Sequence, residues 1–118
     1  MKKIITLVVL LTSLNTYARI CTFGKIGDDN HIKITFNESN IEFNLHESSF
    51  AIEDDKFKNN NNGSWIIIPN QSVNTTTEGE YVRLNVFGII LFNKNTATVY
   101  LETDGYPISE NQKFKCNY

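Results

Sequence analysis

Two cysteines, Cys21 and Cys116, are the residues of this sequence best suited to covalent chemistry. They form no CxxC redox motif, and two thiols without a neighbouring histidine make a poor zinc site. An even number of cysteines in an exported protein is typical of a disulfide. A bridge closing 95 residues would remove chain entropy worth about 4–5 kcal/mol from the unfolded state. We therefore predict that Cys21 pairs with Cys116 and ties the two ends of the chain together.

The other titratable side chains show no pattern typical of catalysis or metal binding. His31 and His46 are the two histidines, and their spacing matches no metal-binding motif, so we interpret them as solvated imidazoles. No predicted apolar pocket would raise the pKa of a carboxyl group, and no GxSxG or glycine-rich phosphate-binding motif occurs. Three groups of acidic residues could in principle supply a glycosidase pair, but we interpret them as solvated loop carboxylates: Asp28-Asp29, Glu53-Asp54-Asp55 and Glu102 with Asp104. The sequence therefore predicts a protein that is not an enzyme and binds no cofactor or metal.

The first 18 residues have the pattern of a cleaved secretory signal. Lys2 and Lys3 precede an apolar run, and small residues stand at Thr16 and Ala18, where signal peptidase would require them. The apolar run of eight to eleven residues would rise about 12–17 Å, too little for a hydrocarbon core of about 30 Å. Ile20 directly before the first cysteine argues against a lipid anchor. We expect residues 1–18 to be removed and the mature protein to lie in a bacterial periplasm or outside the cell.

The charge balance narrows the range of partners. Without the two signal lysines, the chain has nine basic and thirteen acidic residues, a formal net charge of about −4. Nucleic acid favours basic stripes, and anionic lipid attracts basic clusters, so we predict no nucleic-acid partner and no membrane insertion after signal cleavage. The acidic balance gives solubility and would favour a basic protein partner.

The rest of the chain has the two-residue period of β-strands. Apolar and polar residues alternate in 32–36 and again in 41–45, with a short polar turn between them, which predicts a β-hairpin. No stretch has a sustained helical period. About eight short strands at spacings of about 8–12 residues predict one all-β domain over residues 19–118, a small antiparallel β-barrel or sandwich. Sequential hairpins favour an up-and-down order, in which the disulfide joins the first strand to the last.

Several finer features of this domain can also be predicted. We expect an exposed, mobile loop over 53–64, a short strand over 65–69 that ends at Pro69, and two strands, 81–86 and 89–93, separated near Gly88. The residues predicted to point into the core are Ile32, Ile34, Phe36, Phe43, Leu45, Trp65, Val82, Leu84, Val86, Phe92, Val99, Leu101 and Phe114.

Two stretches carry a resemblance to a known family. The sequences "EGEY" (residues 78–81) and "LFNKNTATVYLE" (residues 91–102) are similar in order and spacing to two motifs of the periplasmic and membrane-bound inhibitors of C-type lysozyme. Gly79 and Tyr81 match the first motif, and Lys94 with Ala97 matches the second. Glu78 stands at the position of the family's serine, and Asn95 at that of a glycine.

The resemblance implies a fold, a partner and a mode of binding. The family is a small antiparallel β-barrel, and its motif serine and lysine enter the lysozyme cleft and contact the catalytic carboxylates. It therefore implies a lysozyme as protein partner and Glu78, Gly79, Tyr81 and Lys94 as partner-binding residues. A lysine in such a cleft would make charge-assisted hydrogen bonds to the buried acids.

Two other functions fit the same composition. A small, acidic, exported protein without catalytic residues also fits an immunity-type protein that neutralises a toxin delivered to the periplasm. A carbohydrate- or surface-binding module would use Trp65 and exposed tyrosines such as Tyr81 and Tyr100. The sequence leaves the identity of the partner and the oligomeric state open.

Overall fold

The computed structural model describes residues 19–46, 48–60 and 63–117. The predicted signal peptide, residues 1–18, lies outside the described residues. The strands are β1 (Arg19–Phe23), β2 (Ile32–Phe36), β3 (Asn40–Asn44), β4 (Ser48–Glu53), β5 (Lys58–Asn59), β6 (Trp65–Thr77), β7 (Glu80–Asn93), β8 (Thr96–Thr103) and β9 (Tyr106–Asn117). A single turn of 3-10 helix, Asp54–Lys56, precedes β5.

The strands form one antiparallel sheet that closes on itself. Its order is β4-β3-β2-β1-β9-β8-β7-β6-β5, and closure comes from β4 pairing with β6 through Ser48 to Thr77 and Ser49 to Thr76. Eight strands form the barrel wall, while the two-residue β5 pairs with the first half of β6. The predicted all-β antiparallel barrel is confirmed, although β6, β7 and β9 are 12 to 14 residues long rather than short.

The predicted disulfide joins the first barrel strand to the last. Cys21 on β1 and Cys116 on β9 are direct cross-strand partners, and their Cα atoms are 4.0 Å apart. Both side chains are buried in the core. The Cys21–Cys116 bridge that the sequence predicts is therefore confirmed.

The core fills the barrel with β-branched and aromatic side chains. Phe43 stacks on Phe50 with ring centroids 4.9 Å apart, and Phe114 stacks on Phe23 at 5.4 Å. The buried polar side chains are satisfied, since Thr75 and Ser109 donate hydrogen bonds to main-chain carbonyls, and no described residue has a buried side-chain polar atom without a partner. Such a filled interior is expected of an eight-stranded barrel.

Antiparallel order divides the connections between two ends of the barrel. We call one the Lys94 end. It contains the β7–β8 turn at Lys94, the β2–β3 turn and the start of β1 at Arg19. The other, the Glu78 end, contains the β6–β7 turn at Glu78, the β8–β9 turn and the β1–β2 loop. This division decides which candidate residues can act together.

Some local predictions were wrong, for identifiable reasons. β6 does not end at Pro69, because a bulge between Ile68 and Gln71 accommodates the proline and the strand continues. β7 is not broken at Gly88, which points inward and pairs with Ile68 on β6 and Leu101 on β8. Part of the predicted loop over 53–64 forms the 3-10 turn and β5.

Two residues predicted to be in the core are not buried there. Trp65 pairs with Leu91 on the outer face of the wall and is half-buried, and Val82 is 39% exposed near the tip of the β6–β7 hairpin.

In the described part of the chain, no helix is long and apolar enough to cross a membrane.

Candidate partner-binding sites

The β7–β8 turn presents Lys94 at the end of the barrel. Lys94 is exposed, and its φ of 58° lies in the left-handed region that glycine and asparagine favour over lysine. Thr96 Oγ1 donates a 2.9 Å hydrogen bond to the Asn93 carbonyl, and the Cys116 N–H donates a 2.7 Å bond to the Asn95 carbonyl. The turn is therefore held on β9 beside the disulfide, and its lysine makes no ion pair with any described residue.

An aromatic cluster supports this turn from inside the Lys94 end. Phe92 packs edge-on against Phe36, with ring centroids 5.1 Å apart. The Arg19 guanidinium lies over the Phe92 ring, 4.5 Å from its centroid, in cation–π geometry. Phe92, near the end of β7, is thus packed against both Phe36 and Arg19. Because Phe92 lies two residues before Lys94, this packing limits the movement of the β7–β8 turn.

A serine that no sequence motif indicated lies beside the same turn. The Phe92 N–H donates a 2.9 Å hydrogen bond to the Ser64 carbonyl, so Ser64 lies next to the end of β7. The Asn60 side chain holds it there by donating to Ser64 Oγ and accepting a 3.2 Å bond from the Trp65 N–H. Only the β6–β7 pairing brings this serine near Lys94. In the sequence, the only indication of this serine was that it belongs to the polar turn residues before Trp65.

The first motif of the resemblance lies at the opposite end of the barrel. Glu78 and Gly79 form the two-residue β6–β7 turn with φ of 52° and 82°, and Tyr81 is 89% exposed just after it. Between this turn and Lys94 runs the whole of β7, 14 residues, whose first and last Cα atoms are about 43 Å apart along the strand at a rise of about 3.3 Å per step. The structure therefore does not bring Glu78, Gly79 and Tyr81 together with Lys94.

The two histidines share one pocket at the Glu78 end. His46 Nε2 lies 3.3 Å from Asp29 Oδ1, and His31 Nδ1 lies 3.3 Å from the Gly24 carbonyl oxygen. The pocket has a volume of about 290 Å³, and its apolar lining residues are Ile32, Leu45 and Ile108. Within residues 19–46, 48–60 and 63–117, no group of three or more His, Cys, Asp or Glu side chains could hold a metal ion.

The outer face of β6, β7 and β8 carries a second group of aromatic and aliphatic residues. Leu91 is 50% exposed beside Trp65, and Tyr100 packs edge-on against Phe87, with ring centroids 6.2 Å apart. The Tyr100 hydroxyl donates a hydrogen bond to Glu102, which raises the pKa of Tyr100 because the bond requires the protonated hydroxyl. Tyr100 is thus partly engaged within the wall, unlike the fully solvated Tyr81.

Comparison with known proteins adds no identification. No protein-family profile, no curated protein and no solved structure matches this chain. Any function must therefore be argued from the chain's own residues and geometry.

Proposed function

We propose that this protein is an exported inhibitor that binds a C-type lysozyme through the Lys94 turn. The observation that carries the proposal is the lysine itself. Lys94 has a long, unbranched cationic side chain. Its backbone is in the left-handed conformation, which costs about 1–2 kcal/mol relative to a relaxed backbone. Glu78 and Asp104 have the same left-handed conformation in two other hairpin turns, so what distinguishes the β7–β8 turn is the exposed positive charge that Lys94 carries there.

The chemistry of lysine suits the cleft that the resemblance implies. A lysine carries three donors on a flexible stem, so Lys94 can reach into a cleft and donate to both catalytic carboxylates. Hydrogen bonds between an ammonium and a carboxylate are worth about 1.5–3 kcal/mol, about twice a neutral bond. Because Lys94 has no described acidic partner, binding would break no internal ion pair.

The neighbours of the turn favour a precise approach. Hydrogen bonds from Cys116 and Thr96 hold the turn, and the packed Phe92 supports it, so little ordering entropy would be lost on binding. Ser64 lies at the same end and supplies the hydroxyl that the resemblance places at position 78. Glu78 is about 43 Å away along β7, so its negative charge does not oppose the cleft carboxylates.

Two properties of the whole chain agree with this proposal. A formal charge of about −4 would accelerate association with a basic enzyme through long-range attraction. The buried disulfide fits an oxidising compartment, so we place the protein in the periplasm or outside the cell, after removal of residues 1–18.

The test is the rate at which a C-type lysozyme clears a suspension of bacterial cells, with and without the purified oxidised protein. We expect micromolar protein to slow clearing, and less so at high salt, since the contact is between charges. Unchanged clearing across this range would overturn the proposal. Capture of partners from periplasmic extract, or quenching of Trp65 by glycans, would then distinguish the toxin-neutralising and carbohydrate-binding alternatives.

A further inference from the structure

The first half of β7 has a free edge at the Glu78 end. β7 pairs with β6 from Glu80 to Leu91, but its pairing with β8 begins only at Val86. Among the described residues, no strand pairs with residues 80–84 on the β8 side, and Glu80, Tyr81, Val82 and Arg83 are all exposed. A strand with one unpaired edge is a template for the addition of another strand.

The direction of the backbone groups on this edge can be deduced. In an antiparallel ladder, alternate residues turn their N–H and C=O groups to opposite sides of the strand. The Asn85 N–H bonds to Asp104 Oδ1 at 2.9 Å, and the Asn85 carbonyl accepts from the Asp104 N–H at 2.7 Å, so Asn85 faces the β8 side. By alternation, Tyr81 and Arg83 direct their N–H and C=O groups to the same side, where no strand pairs with them.

We propose that this edge binds a second copy of the same edge, forming a two-fold antiparallel dimer through residues 80–84. With Val82 on the two-fold axis, Tyr81 of each copy lies opposite Arg83 of the other. Both residues have outward-directed backbone groups, so each pair exchanges two main-chain hydrogen bonds, giving four across the interface.

The side chains select this register. Tyr81 and Arg83 lie on the same face of the strand, so in the dimer each guanidinium meets a tyrosine ring of the other copy, a favourable cation–π pair. Centring the axis on Arg83 would place two arginines directly opposite, which is destabilising. The Val82 register also brings two half-exposed valines together and removes their apolar surface from water.

The hairpin is held ready for such pairing. β4 supports the tip from the β6 side, since Ser49 pairs with Thr76 and accepts a hydrogen bond from the Thr75 hydroxyl. No proline or bulge protects the stretch 80–84 against edge pairing, and its charged Arg83 lies opposite Tyr81 of the other copy rather than opposite a like charge. The proposal does not depend on lysozyme binding, because the Lys94 end lies about 43 Å away along β7 and stays accessible in both copies.

The test is site-directed crosslinking of the full mature protein with its native disulfide intact. Val82→Cys would place two thiols directly opposite in a non-hydrogen-bonded pair, where Cα atoms are about 4.5 Å apart, within the range of a disulfide. The matched control is Asn74→Cys. This residue is also exposed and lies in the same hairpin, but in the dimer it lies at least three strand spacings, or about 14 Å, from its copy.

With diamide as the oxidant of the two thiols, we expect Val82→Cys to form a covalent dimer about tenfold faster than Asn74→Cys, because pairing raises the local thiol concentration. Equal rates, or no dimer from Val82→Cys, would overturn the proposal.

Sedimentation provides an independent measurement. Arg83→Pro removes a free-edge N–H without removing a β6 ladder bond, so we expect the dimer to dissociate about tenfold more readily than the wild type. Unchanged association of this variant would contradict the edge pairing.

Discussion

Cys21 and Cys116 are paired directly across the seam where the first and last barrel strands meet. Among the described residues, three pairs join β1 to β9: Ile20 with Asn117, Cys21 with Cys116 and Thr22 with Lys115. Other neighbouring strands of the wall, such as β7 and β8, share eight pairs. The covalent bond therefore lies at one of the shorter ladders of the closed barrel.

The first prediction concerns this seam. Replacing both cysteines by alanine should lower the free energy of unfolding by about 2–5 kcal/mol, because the unfolded chain regains the entropy of a 95-residue loop. Urea unfolding followed by tryptophan fluorescence measures the change. A midpoint equal to that of the oxidised wild type would show that the short ladder alone closes the barrel.

A second prediction concerns the close approach of strands at Gly88. A Cβ added there would lie 3.2 Å from Leu101 Cδ1 and 3.3 Å from the Tyr100 carbonyl oxygen. Gly88→Val should therefore overfill the core and destabilise the barrel by about 1–3 kcal/mol. Asn74→Val, which also introduces a valine but at an exposed position, serves as the control. Thermal unfolding compares the melting temperatures of the two variants. Equal melting temperatures would mean that the core at Gly88 has room to spare.

The third prediction concerns alkaline pH. The hydrogen bond to Glu102 raises the pKa of Tyr100 above 10.0, so this group contributes stability below the unfolded-state pKa and loses it as the pH rises through the folded-state value. Glu102→Gln should shift the Tyr100 titration toward lower pH. Tyrosinate absorbance, with Tyr100→Phe subtracted, follows this one group. An unmoved titration curve in Glu102→Gln would remove Glu102 as the cause.

The fourth prediction concerns the backbone at Lys94. Because its φ is 58°, Lys94→Gly should relieve strain and raise the free energy of unfolding by up to about 1 kcal/mol. Lysozyme inhibition should be lost in the same variant, since the ammonium is gone. Urea unfolding and the clearing assay are run on one preparation. A less stable variant would contradict the view that the turn is strained.

Much of the fold could be predicted because its signals are local. The hairpin of β2 and β3 follows from strict alternation, and its inward residues Ile34 and Phe43 are indeed buried. The disulfide follows from cysteine number and position. The length of β6 could not be predicted, because a bulge reverses the inward side after Pro69 and the second half of the strand is polar.

The candidate site was less accessible to the sequence, since it depends on strand pairing. Motif order along the chain places Tyr81 and Lys94 near each other, yet one continuous strand separates them in space. Ser64 is distant from Lys94 in sequence, but the ladder between β6 and β7 makes it a neighbour of the same turn. The continuity of β7 was also not predicted, because a glycine in the sequence of a strand is easily interpreted as a break, and its close contacts become visible only in the structure.

The most direct test of the account is the affinity of a C-type lysozyme for Lys94→Ala compared with Lys25→Ala. Both variants remove one exposed lysine charge, but Lys25 lies in the β1–β2 loop at the Glu78 end. Titration calorimetry should show Lys94→Ala binding about 10–100-fold more weakly than the wild type, the loss expected for a charge-assisted hydrogen bond, with Lys25→Ala nearly unchanged. Equal affinity of the two variants, or a larger loss for Lys25→Ala, would contradict the role of the Lys94 turn.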